Sequence, residues 1–160
     1  MQKQLAEEFV HDGDFSYYLR LKTLYDGEEW KQVYQRLLEQ VEDRYRGNWR
    51  ICELYLAVLV EEKESAKLLQ YIQENKSEIV KYYPHLIEEY ADKVFVIFSD
   101  YIMVSAQMSS TRSAYIKVCE LIMRLKEIGG KEQALQIMQK LRLAYSRRPA
   151  FMEELRQITS

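Results

Sequence analysis

Apolar side chains recur along most of this chain at intervals of three and four, the spacing that sets them on one side of an α-helix about a turn apart. Between residues 111 and 128 the stripe is Ala114, Val118, Leu121, Leu125 and Ile128. Between 131 and 145 it is Ala134, Met138, Leu141 and Tyr145, and further upstream it is Trp30, Val33, Leu37 and Val41. Each stripe needs a neighbouring helix to cover it. The run Val94, Phe95, Val96, Ile97, Phe98 is unbroken, branched and aromatic, and taken alone it suits a buried strand. Apolar character continues through Tyr101, Ile102, Met103 and Val104, too far for one strand, and no second strand offers to pair with it. The segment is therefore predicted as a helix apolar on most sides, packed centrally between others.

Polar punctuation divides these stripes. Asp12, Gly13 and Asp14 end a first short helix, with Asp14 placed to cap the second; Asp26 and Gly27 separate the second from a third beginning near Glu28. Gly47 and Asn48 close the third, and Asn48 caps a fourth. Glu64 and Ser65 mark a fifth, Asn75 to Ser77 a sixth, and Pro84 restarts the chain before His85. Ser109, Ser110 and Thr111 precede a long helix running to Gly129 and Gly130, and Pro149 suits the first turn of the last helix.

A faint internal repeat runs through this pattern. Moving residues 21–45 along by 104 positions lays Leu21 on Leu125, Lys22 on Lys126, Leu24 on Ile128, Glu28 on Glu132, Val33 on Ile137, Leu37 on Leu141 and Val41 on Tyr145. That shift is close to three times the roughly 34-residue period of tetratricopeptide-like helix pairs. The fold predicted is all-α, with antiparallel helix pairs stacked as a short TPR-like α-solenoid, in a single helical-repeat domain over residues 1–160. Such a stack offers an extended surface to another macromolecule.

Composition supports helices with short connections, because 160 residues include only five glycines and two prolines. Cys52 and Cys119 stand far apart in apolar helical patterns and read as small buried hydrophobes, which suits a reducing, cytoplasmic setting. No stretch approaches the roughly 18 uncharged apolar residues of a membrane span. The net charge of -2 conceals an asymmetry: residues 1–80 carry 11 Lys and Arg against 16 Asp and Glu, while residues 81–160 carry 12 against 9. Within 112–148, Arg112, Lys117, Arg124, Lys126, Lys131, Lys140, Arg142, Arg147 and Arg148 face only Glu120, Glu127 and Glu132. This basic flank is read first as solvated faces of amphipathic helices and second as a surface that attracts an acidic protein partner or a polyanion such as nucleic acid.

Catalytic and metal motifs do not emerge. His11 lies beside Asp12 and Asp14, but a calcium loop needs glycine where the chain has Tyr17, so a turn with a helix cap is favoured. His85 follows Pro84 without a cysteine or second histidine nearby. There is no His-Glu-x-x-His, Cys-x-x-Cys or Glu-x-x-His, and Gly129 and Gly130 follow a helix rather than a strand, as a helix stop does. No catalytic residue, metal ligand or cofactor is assigned, and the chain is read as noncatalytic. Thirteen tyrosines, including the pairs Tyr17–Tyr18 and Tyr82–Tyr83, are read first as helix-to-helix filling and second as docking surface. Asp100, alone inside the apolar 94–104 segment, is placed on a narrow wet edge with Lys93. The candidate contact site is the stretch holding Arg142, Tyr145, Arg147, Arg148 and Phe151. Its arginines either grip phosphate or carboxylate between aromatic faces, or bind the carbonyls that end the preceding helix while Phe151 plugs the end of the stack.

Residues 111–155 carry Arg112, Tyr115, Val118, Cys119, Leu125, Gly129, Gly130, Leu141, Arg142 and Tyr145, then Arg147, Arg148, Pro149, Ala150, Phe151, Glu154 and Leu155. This run resembles the C-terminal helical region of bacterial SWIM-type zinc-finger proteins, and Leu21, Leu24, Trp30 and Leu37 are compatible with the helical repeats that precede it there. The finger itself requires Cys-x-Cys followed by Cys-x-His, which this chain does not contain, so its zinc site and nucleic-acid contact do not carry over. The resemblance implies a fragment, or a finger-less relative, comprising the helical-repeat portion, which is similar to other helical scaffolds used for protein contacts.

Overall fold

The computed structural model describes residues 2–158, and among them every regular element is helical. The chain divides into two compact units, Met1–Leu68 and Leu69–Ser160. The first contains α1 (Gln2–His11), α2 (Phe15–Thr23), α3 (Gly27–Glu42) and α4 (Trp49–Glu61), and α5 (Ser65–Glu74) begins in it. The second contains the short α6 (Ile79–Tyr82), then α7 (Ile87–Met108), α8 (Arg112–Glu127), α9 (Lys131–Ala144) and α10 (Pro149–Arg156).

Local chemistry sets most of these bounds. The Asp14 carboxylate accepts the backbone N–H of Ser16 at 2.9 Å and of Tyr17 at 3.3 Å, while Asp26 accepts that of Glu29 at 2.9 Å. Asn48 accepts from Ile51 at 3.3 Å, and Thr111 from Ala114 at 3.2 Å. Each cap satisfies a donor that the helix leaves without an internal partner. At the end of α8, Gly129 adopts φ +114° and the Gly130 N–H donates to the Leu125 carbonyl at 2.9 Å. A Cβ on Gly130 would come within 2.5 Å of a Leu125 methyl, so this stop accepts no side chain there. Under the 104-residue shift the inner bounds coincide, α2 ending at Thr23 and α8 at Glu127 while α3 starts at Gly27 and α9 at Lys131, whereas the outer bounds do not, α2 starting at Phe15 and α8 at Arg112.

Two expectations need correction. The sixth helix is not continuous: a 3-10 turn (Lys76–Glu78), one turn of α-helix and a second 3-10 turn (Tyr83–His85) replace it. Pro84 has no N–H to continue the α-helical bonding, so α6 ends at Tyr82 and the chain tightens into the second 3-10 turn with Tyr83 still in helical geometry. The 94–98 segment is helical, yet α7 is not apolar and covered on most sides. Val94, Ile97, Phe98, Ile102 and Ala106 are buried, whereas Val96 and Val104 are more than half exposed on the face that carries Lys93 and Asp100. Within the second unit, α6, the 3-10 turns, α8 and α9 pack on α7. Asp100 meets Lys76 at 2.9 Å on the open side.

In the first unit α1 packs on α2, α3 on α4, and α2 on α4. Tyr18, fully buried, lies 5.3 Å edge-on from Trp30, whose ring also neighbours Tyr25 and Tyr34. One carboxylate oxygen, Glu62 Oε1 just beyond α4, accepts the Tyr18 hydroxyl at 2.9 Å and the Trp30 indole N–H at 3.1 Å, and Lys22 Nζ stands 3.1 Å away. Three elements are thereby tied to one atom. On α3, Glu42 accepts Lys67 Nζ at 2.7 Å and, more loosely, the Tyr55 hydroxyl at 3.5 Å.

Burial, reinforced by the negative charge of Glu62, pushes the Tyr18 phenol well above its ordinary value of 10, and burial beside Glu42 does the same for Tyr55. The hydrogen bond to Glu42 raises Lys67. Lys22 is also raised, because its bonds to Glu62 and Glu61 more than offset the opposing effect of burial. All four groups hold their protons longer when folded than when unfolded. Their stabilising contribution is complete below about pH 10, where unfolded tyrosine and lysine are still protonated, and is lost as pH climbs past that value. The urea midpoint is therefore expected to be flat from pH 7 to 9 and to fall by pH 11. Tyr18→Phe should shrink that fall, and an equal fall in the variant would refute the assignment.

Candidate protein-docking groove

The second unit is built around α8, which touches α7, α9 and α10, while α7 and α9 also meet. Because α8 has neighbours on several sides, its buried residues are Tyr115, Val118, Cys119, Ile122 and Leu125. Ala114, Leu121 and Ile128, expected on its core stripe, are only half-buried. The helix is rotated relative to the simplest reading of its spacing. Ala114 and Leu121 instead line an open groove of about 270 Å³ with Lys117 and Val118 of α8 and with Tyr101, Ser105, Met108 and Ser109 from the end of α7.

The groove is lined mainly by apolar side chains and carries one cation, Lys117. Met108 is 80% exposed and Lys117 is exposed, while Ser109 is the only buried polar residue among those described. The Ser109 hydroxyl donates to the Ser105 carbonyl at 2.7 Å, so the floor presents no unsatisfied polar atom. A volume of this order lies just below the roughly 300–1,000 Å³ of small-molecule pockets. It suits one or two inserted side chains. A larger depression of about 390 Å³, lined by Gln73, Lys76, Asp92, Lys93, Val96, Ile97 and Asp100, carries both signs of charge and its Lys76–Asp100 pair is already made.

The five candidate contact residues separate into two groups. Phe151 is fully buried and stacked on Tyr115, with ring centroids 4.5 Å apart and planes 6° from parallel, and Tyr145 packs against it at 5.6 Å. Arg148 lies 5.0 Å from the Tyr145 ring and donates to the Ser109 carbonyl at 2.8 Å, with the Tyr115 hydroxyl at 3.5 Å. The carbonyl it holds belongs to the end of α7, not to the preceding α9. Arg148 therefore fixes the loop that forms one wall of the groove. Arg142 and Arg147 are exposed and form no hydrogen bond or ion pair among the described residues.

The basic flank is likewise divided. Arg112 spans Glu153 at 3.1 Å and Glu154 at 2.8 Å, clasping α10 to the start of α8, and Arg124 donates to the Tyr83 hydroxyl at 3.2 Å. Lys126 also has a partner. Lys117, Lys131, Lys140, Arg142 and Arg147 are exposed and form no such bond among the described residues. The groove was missed at the sequence level because Leu121 counted towards the core and Lys117 towards a solvated face. The available signal was Met108, a long apolar side chain immediately before the polar stop at Ser109.

The tyrosine pairs mostly fill packing. Tyr17 stacks on Phe9 at 4.3 Å, and Tyr83 meets Phe98 edge-on at 5.7 Å. Burial, with Glu154 and Glu120 nearby, raises the Cys119 thiol to about 11, which keeps it neutral and unreactive near pH 7. His11 offers its backbone carbonyl to Arg44, and exposed His85 lies 6.5 Å from the Tyr82 ring. Among the described residues no cluster of three or more His, Cys, Asp and Glu is placed to hold a metal ion, and no helix is long and apolar enough to cross a membrane. No family model, no curated protein and no solved structure matches the chain.

Proposed function

We propose that this protein is a noncatalytic helical scaffold, its helix pairs stacked in TPR-like fashion, which binds an acidic segment of a protein partner. The observation that carries this reading is the α7–α8 groove, apolar within and bordered by Lys117, with Met108 extended into solvent. An apolar anchor from the partner occupies the groove while its carboxylates face the remaining exposed cations. This is the helix-in-groove mode, in which shape and charge share the work of recognition. The likeness of residues 111–155 to the helical region of SWIM-type zinc-finger proteins agrees with a scaffold role.

Met108→Glu and Lys117→Glu place a charge on the groove without removing a buried contact, so both variants should keep their thermal midpoint within the usual range for surface changes. Quantitative affinity capture from a host extract is expected to recover a protein with the wild type and to lose it about tenfold or more with either variant. Equal recovery by all three proteins, or none above background with the folded wild type, would refute the groove as the docking site.

A further inference from the structure

Two helices, one in each compact unit, present exposed faces on which apolar side chains stand beside unpaired charge, and the charge is of opposite sign on the two. On α9 the inward face is Ala134, Ile137, Met138 and Leu141. The outward face carries Leu135, 50% exposed, and Leu143, 84% exposed. At about 3.6 residues per turn and 1.5 Å per residue, they lie roughly 80° apart around the helix and roughly 12 Å apart along it. Arg142 and Lys131 border this strip beyond Leu135, and Lys140 borders it beyond Leu143. All three cations are exposed and have no hydrogen-bond or ion-pair partner among the described residues. Glu132, the one carboxylate of the face, lies in the first turn, where the helix N-terminus favours it. The α3 helix supplies an internal comparison. Under the 104-residue shift Trp30 and Leu37 answer Ala134 and Leu141 and all four are buried, but exposed Lys31 and Glu39 stand where α9 has Leu135 and Leu143. Outward leucine is therefore particular to α9 and not a consequence of its place in the repeat.

On α1 the buried residues are Ala6 and Val10, and the opposite side carries Leu5, 55% exposed, with Phe9 and Glu8. The helical bonding runs on past the end of α1, the Asp12 N–H donating to the Glu8 carbonyl at 3.2 Å, so Asp12 joins the same side. Leu5 and Phe9 are one turn apart, and Glu8 and Asp12 follow them at intervals of three, as neighbours on one helix surface do. The other charged side chains of α1 are engaged within the chain: Lys3 lies over the Tyr25 ring at 4.1 Å, and Glu7 pairs with Arg36 at 2.8 Å. Glu8 and Asp12 are exposed and make no side-chain hydrogen bond or ion pair among the described residues. A second copy of the chain supplies the occupant that each face lacks. Two α9 faces brought together would set Lys131, Lys140 and Arg142 of one copy near those of the other, which repel. An α1 face on an α9 face instead joins Leu5 and Phe9 to Leu135 and Leu143 and sets two carboxylates among three cations. The whole chain is divided the same way, acidic over residues 1–80 and basic over 81–160.

We propose that this protein associates head to tail, the α1 face of one copy seated on the α9 face of the next. Such a contact is heterologous, so each copy keeps a face for a further copy unless the arrangement closes into a ring. The α7–α8 groove takes no part, and the inference stands without the protein-docking function. The test is sedimentation velocity on the full chain from micromolar to millimolar concentration, with circular dichroism to establish that every variant is folded. The wild type is expected to gain mass with concentration. It should do so severalfold less readily at about 1 M salt, where charges act over roughly 3 Å, than at about 0.1 M, where they act over roughly 10 Å. Leu5→Lys and Leu143→Glu should each weaken association about tenfold or more, which is what burial of one leucine supplies. Mixed together, the two variants should form a one-to-one complex of close to wild-type affinity, because each retains the face that the other has lost. Met108→Glu, in the groove, should associate as the wild type does. The inference is overturned if the wild type stays monomeric at millimolar concentration, if association strengthens with salt, or if the mixture is as dissociated as its components. It is equally overturned if Leu5→Lys associates as readily as wild type, the result that a symmetric α9 pair would give.

Discussion

Phe151→Ala is expected to lower the unfolding free energy by about 4 kcal/mol, the middle of the range for truncating a buried phenylalanine. Phe151 is fully buried, its ring stacks on Tyr115 of α8, and the Tyr145 ring lies tilted 5.6 Å from it. The short α10 has only two buried anchors within its bounds, Phe151 and Leu155, so removing one leaves a cavity that eight residues of helix cannot easily refill. With about 2–4 °C per kcal/mol for a chain of this size, the thermal midpoint should fall by roughly 10 °C. Urea denaturation followed by circular dichroism gives the free energy directly. Arg147→Ala, at an exposed position in the same junction, is the control and should stay within about 0.5 kcal/mol of wild type. If Phe151→Ala matched that control, Phe151 would be an accessible contact residue, and the stacked core between α8 and α10 would be refuted.

The second large effect is expected at Glu62. Glu62→Ala removes the acceptor shared by the buried Tyr18 hydroxyl and the Trp30 indole N–H, and it separates Lys22 from one of its two carboxylates. A buried donor left without a partner costs about 1–3 kcal/mol. Two such donors give an expected loss of about 3 kcal/mol, with the Lys22 contribution discounted because that ammonium is one-third exposed. Tyr18→Phe, which deletes one donor and leaves the acceptor in use, should cost only about 1 kcal/mol. In a cycle combining the two changes, the double variant should lose less than the sum of the singles. Additive losses would show that Tyr18 and Glu62 do not share a bond.

The helix starts were legible in the sequence because their causes lie within three residues of one another. Asp14 and Asn48 cap the helices assigned to them, Asp26 and Thr111 prove to be the caps at the boundaries they marked, and Gly129 with Gly130 ends α8 where expected. The helical state of 94–98 was likewise settled by the length of its apolar run. The break at 76–85 was only half legible: Pro84 marked the restart, whereas the division of the preceding stretch between 3-10 and α turns is a fine balance of local hydrogen bonds.

The candidate site was less legible, because apolar spacing gives the period of a helix and not the direction in which it faces. Residues 112–127 satisfy more than one apolar stripe, and the neighbours of α8 select the one containing Tyr115, Cys119 and Ile122. That choice leaves Leu121 and Ala114 to line the groove. The same applies to Arg148, whose carbonyl partner lies 39 residues away, and to Glu62, whose donors lie 44 and 32 residues upstream. By itself the sequence determined the all-helical state and where most helices begin, since caps, glycine stops and periodicity act between near neighbours in the chain. Only the tertiary structure decided which face of each helix is covered and which polar groups meet, because those depend on contacts between residues distant in sequence, for which a single sequence carries no local signal.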